Sequence, residues 1–210
     1  MSLFSPDRPS ELGDYSGPRI ALIHGFAARE HMQRHLLKFL RSDGFVDTSL
    51  YGHRDPIETI CDDLCSAREA GRHIAVIGFS QGGFHALKVA HALDRRGVQT
   101  SVLVMIAAGG AGRLMPAQWS SNPRQLPERV DCTLNYFSTG DRLGSDSAHA
   151  RNLLRPAFPA QHVENVCFPR ADRVSHLGLT TCYPAERVHP AVSEQLLARL
   201  HKELKALTAT

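Results

Sequence analysis

The chain has 210 residues, enough for one sizeable hydrophobic core and few for two, so a single domain is expected. Its 24 basic and 21 acidic residues are spread without a basic block and leave a net charge of +3, which gives no footing for nucleic-acid or membrane-surface binding. No apolar run reaches the length of a membrane span, and five cysteines without the paired spacing of a disulfide framework suit a reducing compartment, so a soluble, cytoplasmic protein without stable membrane insertion is expected.

Residues 1–18 mix proline, glycine, serine and charge and read as a flexible tail, not a signal peptide; residues 19–210 are expected to form the domain. Arg19 to His24 is a short apolar strand. A helix with Met32, Leu36, Leu37 and Leu40 on one face follows and stops at Gly44, where a left-handed cap is expected. Phe45 to Tyr51 reads as a second strand. Asp55 is then placed to cap a helix with Pro56 at its first position, and Ile57, Ile60, Cys61 and Leu64 run along one face to Gly71. Cys61 and Cys65 belong to that face as small buried hydrophobes. A third strand, His73 to Phe79, leads into a helix whose Phe84, Leu87, Ala90 and Leu93 repeat before Gly97. Ser101 to Ala108, Thr133 to Ser138 and, more weakly, Val163 to Phe168 complete the strands, and a helix carrying Val192, Leu196, Leu200, Leu204 and Leu207 closes the chain. Apolar strands alternating with amphipathic helices imply an α/β fold: about six strands in a mostly parallel sheet, with helices on both faces.

Between the third strand and its helix stands Gly78-Phe79-Ser80-Gln81-Gly82, the layout of a nucleophile elbow. A serine on so sharp a turn is held out over the end of the sheet, and flanking glycines let strand and helix approach. A serine hydroxyl needs a base and a group to orient that base. In a parallel sheet these should lie beyond the carboxyl ends of the strands. Asp141 follows the strand ending at Ser138, while Asp172 remains its rival and Asp131 lies at the wrong end. Of the five histidines after Asp141, namely His149, His162, His176, His189 and His201, only His176 falls in a loop between the last strand and the last helix. The oxyanion donors expected are the backbone N–H of Gln81, which comes with the elbow, and that of Phe26, in the His24-Gly25-Phe26 loop across a crevice from it.

These residues resemble the α/β-hydrolase superfamily, from Arg19 to Leu207, in the order Ser80, Asp141, His176. His24-Gly25-Phe26 and a histidine followed by Leu-Gly-Leu are similar to small lidless bacterial lipases; Gly78-Phe79-Ser80-Gln81-Gly82-Gly83 is similar to the elbow of acyl-protein thioesterases and carboxylesterases. Ala27-Ala28 stands where such lipases often carry glycine. The resemblance implies a minimal α/β-hydrolase fold and a serine hydrolase with that triad, acting without cofactor or metal on a small-molecule ester. A thioester substrate, or a non-enzymatic ligand receptor, remains the alternative. About two dozen residues separate the fourth and fifth strands, too few for a cap domain. Leu114, Met115 and Trp119 in that connector, and Leu177, are candidates to line an acyl pocket. Two other patterns carry less. Ala107 to Gly112 lacks the Gly-Lys-Ser/Thr of a phosphate loop, and His31 and His35, with no third ligand, read as a solvated helix face. Oligomeric state is beyond what these residues specify.

Overall fold

A computed structural model describes residues 6–9, 12–114, 122 and 124–208. Among the described residues the principal elements are six strands and four helices, in the order β1 (Arg19–His24), α1 (29–42), β2 (Thr48–Gly52), α2 (Ile57–Glu69), β3 (Ile74–Phe79), α3 (Gln81–Arg95), β4 (Thr100–Ile106), β5 (Val130–Ser138), β6 (His162–Phe168) and α4 (190–206). All neighbouring strands pair in parallel, in the order β2-β1-β3-β4-β5-β6.

The central strands β1, β3 and β4 read as largely apolar runs because both faces of the sheet are covered there, yet the two-residue period still sorts them. Ile20 and Leu22 of β1, Ile77 of β3 and Val104 of β4 face α1 and α4, meeting Met32, Leu36, Leu40, Leu196 and Leu200. Ala21, Ile23, Val76, Leu103 and Met105 face α2 and α3, meeting Ile60, Cys61, Leu64, Val89 and Leu93. Each fully buried leucine or isoleucine contributes about 1.5–3 kcal/mol, so either layer is worth far more than any single polar contact in the molecule.

Three helices end by one device. Gly44, Gly71 and Gly97 have φ of +94°, +79° and +72°. The residue after each glycine donates its N–H back across the last turn: Phe45 to Leu40, Arg72 to Ala67, Val98 to Leu93. Each of these bonds satisfies a helix-end carbonyl, as was expected of Gly44. The same motif shortens the second strand. Phe45 is spent on closing α1, so β2 begins only at Thr48.

The start of α2 also differs from the sequence reading. Pro56, not Asp55, occupies the capping position, and no side chain caps the helix. Asp55 Oδ2 instead accepts from the Gly52 N–H at 2.8 Å, closing the turn after β2. Within the first 18 residues, Asp7 forms an antiparallel bridge with Leu50 of the edge strand and receives Arg41.

Strand order fixes the working end. The chain leaves β1 for β2 on one side and returns to β3 on the other, so the loops after β1 and β3 diverge and leave a crevice between them. Glycine makes the crossing of these elements possible. A Cβ on Gly82 would stand 2.1 Å from the Ile23 carbonyl oxygen, and one on Gly78 would stand 2.2 Å from the Gly82 carbonyl oxygen. Both obstacles are backbone. Gly82→Ala should therefore cost at least the upper end of the roughly 1–3 kcal/mol typical of overpacking, read as a lower denaturation midpoint at unchanged slope.

Candidate active site

Ser80 sits between β3 and α3 with φ +56° and ψ −123°, a conformation that a non-glycine residue adopts at a cost of about 1–3 kcal/mol. Its backbone is held on both sides: its N–H donates to the Ile106 carbonyl at 2.8 Å, and its carbonyl accepts from Gly83 at 2.9 Å. The side chain thus stands at the amino end of a 15-residue helix, where the helix dipole favours negative charge.

The loop after β1 closes on this turn. A Cβ on Gly25 would lie 2.7 Å from Ser80 Cβ and 3.2 Å from the Gln81 amide nitrogen. Gly25 is thus the residue that lets the loop come so near. Its carbonyl accepts from His24 Nδ1 at 2.7 Å and from the Ala28 N–H at 3.3 Å. Because a trans peptide sets its C=O and N–H on opposite sides, anchoring that carbonyl also fixes the direction of the Phe26 N–H. Ala27, standing where glycine was the familiar choice, takes φ +51° itself. Burial holds the His24 imidazole below its ordinary range, and the neutral ring still donates from Nδ1. The Phe26 side chain is 65% exposed and meets His53 edge-on.

Asp141 and His176 come from the loops after β5 and β6. Asp141 is 5% exposed. Its Oδ1 accepts from the N–H groups of Leu143 (3.0 Å) and Gly144 (3.1 Å), and its Oδ2 from His176 Nδ1 at 2.7 Å. No Cβ would fit at Gly144, where it would meet that same Oδ2 at 2.4 Å. The His176 ring packs on Phe79, the residue preceding Ser80, with centroids 4.8 Å apart. With Nδ1 committed to the carboxylate, Nε2 is the nitrogen left to exchange a proton. Asp172, on a single-turn 3-10 helix before the loop, makes no hydrogen bond to His176. Asp131 lies at the opposite end of the sheet and accepts from Gln99.

The other histidines have separate places. His149 packs on Phe137, His162 begins β6, His189 caps α4 by accepting from the Ala191 N–H, and His201 pairs with Asp43. The glycine-rich run after β4 forms the 3-10 turn Gly110–Leu114 against the acid loop, with the Ala111 N–H donating to Arg142 and Gln81 Nε2 donating to the Gly112 carbonyl. It buttresses the elbow and Asp141. Met115 and Trp119 lie outside the described residues. Leu177 is 47% exposed, and Leu143 and Leu114 are more so. With Phe26, these three place apolar side chains on the loops after β1, β4, β5 and β6. Two concavities, of about 540 and 320 Å³, lie away from this end, beside Arg96 and beside Arg19. Among the described residues no group of His, Cys, Asp and Glu side chains is arranged to hold a metal ion, and no helix is long and apolar enough to cross a membrane.

Sequence reasoning missed one pair. His31 and His35 are not a solvated helix face; their rings lie 4.3 Å apart and bond the loop that follows His176. The signal available was only their four-residue spacing, which an exposed face shows equally.

No family profile matches the sequence, and no curated protein matches it. Solved structures do match in shape. An esterase/lipase from an uncultured bacterium superposes with a TM-score of 0.58 at 11% identity, over 94% of this chain and 78% of that one. Alpha/beta hydrolase domain-containing protein 10 from mouse gives 0.53 at 14% identity, over 95% of this chain and 100% of that one. The RedJ thioesterase of the prodiginine biosynthetic pathway in Streptomyces coelicolor gives 0.52 at 14%, over 92% and 90%. At such identities the likeness speaks of fold: this chain has the α/β-hydrolase fold, with no cap evident among the described residues.

Proposed function

We propose that this chain is a serine hydrolase that cleaves carboxylic esters through an acyl-enzyme, with Ser80 as nucleophile, His176 as base and Asp141 as the group that orients the base. One observation carries the reading: His176 bonds a buried carboxylate through Nδ1 while its ring rests on the residue next to a strained serine. Ser80 Oγ attacks the substrate carbonyl carbon and its proton passes to His176 Nε2. Asp141 keeps the proton on Nδ1 and stabilises the imidazolium that forms. The Phe26 and Gln81 N–H groups receive the oxyanion, aided by the amino end of α3. The imidazolium then protonates the departing alcohol, and water repeats the sequence on the acyl-enzyme. The exposed Phe26, Leu114, Leu143 and Leu177 support an apolar acyl group lying across an open mouth. Five unpaired cysteines support a reducing, cytoplasmic setting.

A fluorophosphonate should modify the protein once, on the peptide containing Ser80, and p-nitrophenyl esters should be turned over. Neither labelling nor turnover would leave a ligand receptor. Because a thioesterase shares the fold, matched esters and thioesters of graded acyl length should be compared by kcat/KM. A thioester advantage at every length would reassign the leaving group and keep the three residues.

A further inference from the structure

The stretch that follows His176 is held by a helix distant in sequence. After the 3-10 turn Leu177–Thr180 the chain runs through Thr181, Cys182 and Tyr183 against α1. His35 Nδ1 accepts from two backbone N–H groups, those of Cys182 at 3.3 Å and Tyr183 at 3.2 Å. One turn earlier, His31 Nε2 lies 3.1 Å from Oγ1 of Thr180, which is fully buried. The Thr180 hydroxyl donates to the Leu177 carbonyl at 3.3 Å, so its oxygen is left to accept from His31. Lys38, a further turn on, sits over the Tyr183 ring at 4.5 Å. His35 lies on a π turn, Gln33–Leu37, inserted in α1, and such wide turns recur at functional sites. α1 itself begins just after the Phe26 loop, so one helix ties the proposed oxyanion loop to the proposed base loop.

The chemistry of His35 is one-sided. An imidazole accepts only when neutral; once protonated, both nitrogens are donors. Two backbone N–H groups would then face a third N–H that carries positive charge, each losing its partner. We propose that His35 is a positioning residue for His176: as a neutral acceptor it pins residues 182–183 and thereby the loop of the base, and its protonation releases that loop. The inference rests on the triad reading, and it predicts a loss of activity in acid that is separate from protonation of His176 itself.

The titratable and charged groups beside this ring are His31 and Arg34 from α1 and Cys182 and Tyr183 from the base loop, with Lys38 over the far-side Tyr183 ring. Arg34 is also paired with Glu30, and neither imidazole has a carboxylate partner among the described residues. Burial, then Arg34, lowers the affinity of His35 for a proton; burial, then His35, does so for His31. Release of the loop exposes the ring and removes the burial contribution, raising the affinity of His35 for a proton toward the ordinary imidazole range. The released loop therefore binds the additional proton more readily than the pinned one, so falling pH favours release and rising pH favours the pinned loop.

In the wild type, log kcat/KM should fall on the acid side with a slope between one and two. His35→Asn places a non-titrating oxygen near the Nδ1 position; it should keep kcat within about threefold at about pH 8 and reduce the slope to one. His35→Leu should lower kcat by about ten- to a hundredfold while KM stays within about twofold, as expected of a misplaced base. Wild-type kcat and acid limb in His35→Leu, or an unchanged slope in His35→Asn, would overturn the proposal. Amide protection factors by NMR give a readout independent of turnover. Cys182 and Tyr183 should be protected at about pH 8 and lose protection at about pH 5 while the β3 and β4 amides keep theirs, and His35→Asn should retain it at both. If no ester or thioester is turned over, the hydrolase reading fails, and the protection factors still decide whether His35 holds this loop.

Discussion

Ser80→Ala should abolish ester turnover, lowering kcat by about a millionfold and leaving no fluorophosphonate adduct. The size follows from the absence of a substitute. No other described side chain shares the turn between β3 and α3, and water attacking in place of Oγ would have to be bound and deprotonated at a site shaped around the serine. Residual catalysis by the oxyanion donors alone is expected to be about a thousand- to ten-thousandfold over water. The variant should fold, since alanine asks no more of φ +56° than serine does. The checks are an initial-rate assay on a p-nitrophenyl ester and intact-mass labelling; turnover within tenfold of wild type would remove Ser80 from the mechanism.

Asp141→Asn should lower kcat by about ten-thousandfold with stability little changed. The surroundings dictate the direction. The new carboxamide would keep its oxygen toward the Leu143 and Gly144 N–H groups, which can only donate, and so present its NH₂ to His176 Nδ1. Donor then meets donor. The imidazole can relieve this only by moving its proton to Nε2, the nitrogen that has to receive one from Ser80. Asp172→Asn is the control and should stay within about twofold, since no hydrogen bond joins it to the ring. Near-normal activity in Asp141→Asn with loss in Asp172→Asn would transfer the role. Rates at saturating substrate separate these outcomes from any change in binding.

Much of the architecture was legible because its signals are local. Gly44, Gly71 and Gly97 mark helix ends through backbone stereochemistry that only glycine meets cheaply, and the apolar runs between them could only be covered strands. Asp141 and His176, picked out by their place after strands, do lie within hydrogen-bond reach of each other. What stayed hidden depends on partners far away in the chain. Asp55 followed by proline looks like a helix cap until the turn after β2 claims its carboxylate. His35 meets partners 147 and 148 residues away, and nothing in its own neighbourhood distinguishes it from a surface histidine. Ala27 carries a left-handed φ that its residue type argues against; the carbonyl of Gly25, held from two sides, overrides the preference.

The glycine contacts around the elbow bear on how this protein can change over time. A Cβ at Gly25, Gly78, Gly82 or Gly83 would stand less than 3.0 Å from Ser80, Gly82, Ile23 or Ala108, so a side chain at any of them forces its neighbours to shift. Each step taken at these positions therefore costs stability. Phe26, Leu114, Leu143 and Leu177 stand exposed on the loops around it, Leu177 by about half. Replacing them leaves the crossing untouched, so new substrate ranges should be reached by mutating this rim, and a laboratory library confined to those four positions should keep most of its members folded and reactive toward fluorophosphonate.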